Sequence, residues 1–377
     1  MMIKKTPIVA TPIFLRDLRQ GFKRKSRSQE DLCATLKKYT GVRYAFLVNS
    51  ATAGLYISLC ALKKISPKQE VILPAYTASS LIIAIQKAGL KPVLCDISRE
   101  DFNMDRGCLS GLVTPDTLCI LGVHMFGLPC PVSSLKKEFP NIFVIEDAAQ
   151  SFGTLVDGVP VGAFTDIGLF SFNRGKNLPV YGGGCILTSD DRIAAKINSE
   201  MSSLKPAGFF YNSTAPFKIL ALSLAARPFI YGLFSFFIAG FKEQAPARKV
   251  KVSRFTGFQA GVALSLFKRI EELSKKRFRN ASVLMEGLAG CQGIQLPGIP
   301  SGTRPAWNRL PILIKNELIR EGLKKRLWKE GVEASVMYAL PLHKEFPFAV
   351  KKEGFPVADY FAEHLLTLPV HPMVRSE

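Results

Sequence analysis

Three stretches of this 377-residue chain hold residue types at spacings from which chemistry can be built. The first, LVNSATAGL at 47–55, is an apolar strand running into a helix through small residues. Backbone N–H groups at such a helix start can approach a phosphate closely, although an ordinary capped helix start reads the same way. The second, VIEDAAQSFG at 144–153, ends an apolar strand in Glu146 and Asp147 and continues to Gln150. A carboxylate there either caps the next helix or stands against a protonated ring nitrogen and raises that nitrogen's pKa. The third, DIGLFSFNRGKNLPVYGGGCILTSD at 166–190, sets Lys176 in a loop between two strands, ahead of Gly182, Gly183 and Gly184. Most lysines are solvated surface charges. Enclosed by Phe170, Phe172 and a glycine-rich turn, this one would have a lowered pKa and could form a Schiff base with an aldehyde. A phosphate cup, then an acid, then a lysine 29 positions after Asp147 is the order a pyridoxal phosphate site requires. The chain has no G-x-G-x-x-G fingerprint and no Walker A lysine motif, which argues against dinucleotides and ATP.

The elements that must position these residues alternate. Apolar runs at 44–48, 71–73, 92–95, 118–123, 142–146, 167–172 and 184–188 are separated by segments of helical length at 52–64, 79–89 and 133–139. That rhythm predicts an α/β domain with a mainly parallel sheet covered on both faces. Before it, 28–40 suits a short helix with Ser28 as N-cap and Gly41 beyond its end. After residue 254 the texture changes to amphipathic stretches at 256–287 and 317–330, with strand candidates at 309–314 and 332–336, the pattern of a smaller α+β domain. The expected division is a basic leader over 1–27, a large domain over 28–205, an apolar insert over 206–250 and a C-terminal domain over 251–377.

Composition narrows the class. With 47% hydrophobic and 21% charged residues the chain is globular, not disordered or collagen-like. Its net charge of +20 favours an acidic partner without choosing among phosphate, nucleic acid and an anionic membrane. No aromatic platform or recognition helix accompanies the basic residues, so a nucleic-acid partner is not expected. Eight cysteines without a C-x-x-C pair or zinc-ligand spacing read as reduced thiols in the cytoplasm, with no metal site expected. The leader has no apolar region followed by a cleavage site, so no secretion signal is expected.

Residues 215–241, APFKILALSLAARPFIYGLFSFFIAGF, form a 27-residue apolar stretch whose charges are Lys218 and Arg227. A transmembrane helix needs about 20 such residues, but Pro228 falls near the middle and breaks it into halves too short to cross. A single span would also place the second domain across the membrane from the first. A re-entrant or interfacial hairpin is expected, with Lys242, Arg248, Lys249 and Lys251 meeting anionic headgroups. A pair of helices buried at a subunit interface remains the alternative.

With VILPAYTASSLIIAIQKAGLKPVLCDI at 71–97, VHMFG at 123–127, SFNRGKNL at 171–178, FQAGVAL at 258–264, PLH at 341–343 and LPVHP at 368–372, the chain resembles the DegT family of pyridoxal-phosphate sugar aminotransferases. The likeness runs from about residue 28 to 373, interrupted by the apolar segment. It implies a fold type I α/β architecture with a smaller C-terminal α+β domain, and a homodimer with two-subunit sites. It also implies transfer of an amino group from glutamate or glutamine to a keto-sugar, nucleotide- or lipid-linked, in glycan or cell-surface polysaccharide synthesis. By position, Lys176 would bond the cofactor and then move the proton between Cα and C4′, while Asp147 would pair with the pyridinium nitrogen. Gln150 would hydrogen-bond the ring hydroxyl, and Ser171 with the amides of Ala51 and Thr52 would hold the phosphate.

The sequence departs from the family in several places. Ala78 stands where an aromatic usually stacks on the ring, so Tyr76 or another side chain must substitute or the cofactor is held less firmly. The family's Asn-Tyr-Arg-Met reads Val252, Ser253, Arg254 and Phe255, and its Gly-Glu-Gly-Gly reads Tyr181, Gly182, Gly183 and Gly184. Tyr76, Arg254 and His343 are the substrate-side candidates, although a lone histidine is more often structural. These departures leave open a non-catalytic, membrane-associated protein that keeps the aminotransferase fold. The expected location is cytoplasmic, peripheral or monotopic on the inner face of the membrane.

Overall fold

The computed structural model describes residues 4–23, 27–204, 209–242, 249–350 and 354–374, with 209–213 and 236–242 described by backbone alone. Arg248, named above among the cations expected to meet headgroups, lies outside the described residues, as do Arg24 and Lys25 of the basic leader.

Among the described residues, nine strands lie in the first half of the chain: β1 (Tyr44–Val48), β2 (Glu70–Pro74), β3 (Lys91–Cys95), β4 (Thr117–Val123), β5 (Phe143–Asp147), β6 (Leu155–Val156), β7 (Val159–Pro160), β8 (Ile167–Ser171) and β9 (Gly184–Thr188). Seven of them form one sheet in the order β1-β9-β8-β5-β4-β2-β3. Only β9 runs against its neighbours. Every residue of β2, β4, β8 and β9 is buried, because helices cover both faces. The helices Ala51–Lys63, Ser80–Lys87 and Val132–Glu138 each return the chain between strands, close to the predicted ranges. This topology gathers the carboxyl ends of β1, β2, β4, β5 and β8 on one side, where an α/β sheet binds ligands.

A second sheet joins β10 (Ile294–Gln295), β12 (Leu310–Ile314) and β13 (Leu365–Leu368), and a third joins β6 and β7 to β11 (Thr303–Arg304). One apolar cluster runs from Leu55, Ile82 and Leu121 under the large sheet to Ile312, Phe361 and Leu366 in the small one.

Several local expectations are corrected. Ser28 is buried as the first helical residue of Ser28–Thr40, and Arg27 is the cap. Gly41 does end that helix, with φ +79°. The stretch at 256–287 is two helices, Gly257–Phe267 and Ile270–Leu288, because the chain turns at Lys268 and Arg269. Residues 332–336 form only isolated bridges, from Val332 to Thr6 and from Ser335 to Thr367. The N-terminal segment is woven into the fold: the Ile8 N–H donates to Glu333 at 2.8 Å, and the buried Lys5 amine lies 3.6 Å from the Trp328 ring centre.

The apolar insert forms two helices, Phe209–Ala225 and Pro228–Lys242, bent by 88° at Ala226–Arg227. It is an elbow, not a hairpin. Pro228 starts the second helix, a position where its missing N–H costs nothing. Ala215 and Ile219 pack into the apolar cluster around Phe170 and Phe258, and the Lys5 N–H donates to the Pro228 carbonyl at 3.0 Å. Among the described residues no single helix is long and apolar enough to cross a membrane.

Candidate active site

The turn after β1 sets the phosphate end. Ser50 caps the helix Ala51–Lys63 by accepting the Ala53 N–H at 3.0 Å. The amides of Ala51 and Thr52 then fill the first two helical positions, which have no acceptor within the helix. The start of β9 lies hard against this turn, since a Cβ on Gly184 would meet the Ala51 nitrogen at 2.5 Å. Gly183 has φ +102° and no room for a side chain beside Phe255. The glycine run therefore closes the cup by close backbone approach.

Strand alternation separates the two carboxylates at the end of β5. Glu146 is wholly buried and accepts from Gly162 N–H at 2.6 Å, Phe164 N–H at 3.0 Å and His124 Nε2 at 2.9 Å. The Cys130 N–H donates to His124 Nδ1 at 2.7 Å, so the proton sits on Nε2 and the ring is a structural donor to Glu146. Asp147 instead faces a cavity of about 170 Å³. Its Oδ1 accepts the Ala149 N–H at 2.9 Å. Burial raises its pKa, opposed by the Ala149 N–H and by the charge of Lys176.

The same cavity is lined by Ala51, Thr52, Gln150, Ser171 and Lys176, all from the predicted set, with Ala78, Asn173 and Tyr338. Lys176 is enclosed by protein, and it keeps some accessible surface because cavities lie on both its sides. Burial lowers its pKa to about 8, against the pull of the Asp147 carboxylate and together with the repulsion of Arg309. Gln150 Oε1 accepts the Phe126 N–H at 3.4 Å, and its Nε2 donates to the Tyr338 hydroxyl at 3.4 Å.

The other three candidates do not line this cavity. Tyr76 is buried behind Tyr338, donating to the Tyr338 carbonyl at 3.1 Å and accepting its N–H at 3.3 Å. Tyr76 therefore does not replace the missing stacking aromatic at Ala78. The aromatic residue lining the cavity is Tyr338. His343 stacks on Phe355 at 4.6 Å and pairs with Asp359 at 3.1 Å. Arg254 is exposed on a bridge to Val48.

A second cavity, of about 410 Å³, opens on the far side of Lys176. Arg174, Arg309, Glu333 and Tyr231 line it, and Leu222, Ala225 and Ala226 of the elbow form its roof. The Tyr231 hydroxyl donates to Glu333 at 2.8 Å. Burial pushes the Tyr338 hydroxyl up to about 12, lessened by the Arg309 guanidinium. Sequence reading missed Arg174, Arg309, Tyr338 and Glu333. Tyr338 lies three residues before the recognised Pro341-Leu342-His343, the nearest signal that pointed to it.

Pyridoxal phosphate carries a phosphate, a basic ring nitrogen and an aldehyde. The first cavity offers helix-start amides with the Ser171 hydroxyl, a buried carboxylate and a lysine amine of lowered pKa, so its residues fit that group. The profile of the DegT/DnrJ/EryC1/StrS aminotransferase family matches residues 15–377. The chain belongs to that family. It is a pyridoxal-phosphate-dependent sugar aminotransferase of fold type I, which sets aside the non-catalytic reading.

The chain is 28% identical over 342 residues to UDP-N-acetyl-3-dehydro-alpha-D-glucosamine 3-aminotransferase of Acidithiobacillus ferrooxidans, covering 90% of this chain and 82% of that protein. It is 26% identical over 345 residues to dTDP-3-amino-3,4,6-trideoxy-alpha-D-glucose transaminase of Streptomyces venezuelae, covering 90% and 81%. The fold also matches the crystal structure of a DegT DnrJ EryC1 StrS aminotransferase from Brucella abortus, with TM-score 0.74 and 24% identity over 96% of this chain and 92% of that one.

Proposed function

We propose that this sugar aminotransferase takes an amino group from glutamate or glutamine and delivers it to a keto-sugar bound on the Arg174–Arg309 side of Lys176. The observation that carries the reading is the position of Lys176 between the cavity of Asp147 and Ser171 and the cavity of Arg174 and Arg309. When bound, the cofactor supplies a ring that draws electrons from a bond broken at the donor's Cα. The residues of the chain do the rest. The amides of Ala51 and Thr52 and the Ser171 hydroxyl hold the phosphate. Asp147 keeps a proton on the ring nitrogen, which its charge favours. Gln150 orients the ring hydroxyl. Lys176, with a pKa near 8, is matched to taking a proton from the donor's Cα near neutral pH and delivering it to C4′.

The test is the visible band of cofactor-loaded protein on adding glutamate. Loss of the band in wild type, absent in Lys176→Ala, is expected; turnover surviving that substitution would overturn the reading.

The same proposal places the enzyme against the cytoplasmic face of a membrane through the elbow. Phe217 is 75% exposed, Phe229 51%, Leu233 56% and Phe234 53%, close in sequence to the exposed cations Lys218 and Arg227. Such a surface suits the boundary between headgroups and acyl chains. Cys95, Cys119, Cys130 and Cys185 are buried as free thiols, as a reducing compartment favours. We further propose a homodimer. Flotation with phosphatidylglycerol vesicles is expected for wild type and lost in a Leu233→Asp, Phe234→Asp variant. Equal flotation of both would end the membrane reading, and dimer dissociation in the variant would assign the surface to a second subunit.

A further inference from the structure

A third cavity, of about 730 Å³, lies under the same elbow. Its wall is mostly apolar, built from Pro12, Ile13, Phe14, Leu284, Leu327 and Phe229. Thr11 lines both this cavity and the one beside Lys176, so a single strip of chain separates the two. The elbow roofs both: Leu222, Ala225 and Ala226 face the Lys176 side, while Ser223, Arg227 and Pro228 face the apolar side. Phe14 and Phe229 are exposed among its lining residues, and the exposed cations Lys4 and Arg227 join them.

We propose that the keto-sugar is presented on a lipid phosphate, with its aliphatic chain in this apolar cavity. The sugar lies beside Lys176, and the phosphate linkage lies near Arg174 and Arg309. The inference deepens the aminotransferase reading and rests on it. Three observations converge. The charged cavity and the apolar cavity share Thr11 as a common wall, so an amphiphilic molecule passing over that residue would reach both. The guanidinium pair complements a phosphate. Exposed aromatics and cations occur together among the residues of the apolar cavity, the composition of a site loaded from a lipid interface. A nucleoside diphosphate carrier has no group that would use the apolar cavity.

The probe is geranylgeranyl diphosphate, titrated calorimetrically into full-length holoenzyme in mild detergent and compared with UDP, inorganic diphosphate and phosphatidylglycerol. At least about tenfold tighter binding of geranylgeranyl diphosphate than of the other three is expected. A loss of about tenfold is expected in Leu284→Trp, which fills the cavity. Should that variant fail to fold, Phe229→Asp carries the same test from a half-exposed position. Tighter binding of UDP, equal binding of phosphatidylglycerol, or an affinity untouched by either substitution would overturn the proposal. Failure of wild-type enzyme to react with glutamate would instead overturn the donor half of the aminotransferase reading.

Discussion

The cofactor cavity and the elbow are built by opposite means. Around Asp147 and Lys176 the contacts that set position are directional: a capped helix start, a carboxylate held by a backbone N–H, and glycines that let two backbones touch. The elbow is held mainly by apolar packing of Ala215 and Ile219, and it docks through the Tyr231–Glu333 and Lys5–Pro228 hydrogen bonds. Hydrogen-bonded networks in a buried site fix positions to fractions of an ångström, whereas apolar contacts tolerate rearrangement of similar volume. The contrast separates an invariant chemical step from an adaptable substrate surface. Chemistry should then be sensitive to single atoms in the first region, and substrate handling to shape and polarity in the second.

The largest effect is expected from Lys176→Ala, which removes the proton carrier. Transamination should fall by about a thousandfold or more, measured as single-turnover loss of the cofactor band with glutamate. Asp147→Asn keeps the shape and removes the charge, and a fall of about a hundredfold is expected in the same assay. A fall below tenfold would mean that another group holds the ring proton.

Titration sharpens the contrast. Cofactor uptake by the apoenzyme needs the neutral Lys176 amine, whose pKa burial has lowered to about 8. The uptake rate should therefore rise about tenfold between pH 7 and pH 9. In Asp147→Asn the midpoint should move down, because the negative charge that raises the lysine's pKa is gone. An upward shift would show that Asp147 does not act on Lys176.

Gly184→Ala drives a methyl group against the Ala51 nitrogen. A stability loss of about 1–3 kcal/mol is expected by thermal melting, together with weaker cofactor retention. Tyr231→Phe should have the smallest effect, about 1 kcal/mol, since it loses one hydrogen bond to Glu333. If it abolished donor half-reactions, the chemical step and the substrate surface would not be separable.

The alternation of strands and helices was readable because fully buried strands leave long apolar runs, as in β4 and β8. The cofactor residues were readable for a related reason: Ala51, Asp147 and Lys176 each follow or end such a run, so strand topology delivers them to one edge. Ser28 misled because its hydroxyl suits a cap equally well one residue away from where the helix starts. Tyr76 misled because nearness to the motif in sequence does not say which face of the turn looks into the cavity.

The sequence by itself determined the polar chemistry of the cofactor site, since local motifs at strand ends carry it and backbone geometry repeats wherever a strand meets a helix. Only the tertiary structure decided the substrate side. Thr11, Arg174, Arg309 and Glu333 meet from segments far apart in the chain, beneath an elbow whose 88° bend no periodicity announces. Contacts of that kind arise from packing between elements, and a one-dimensional pattern records them only weakly.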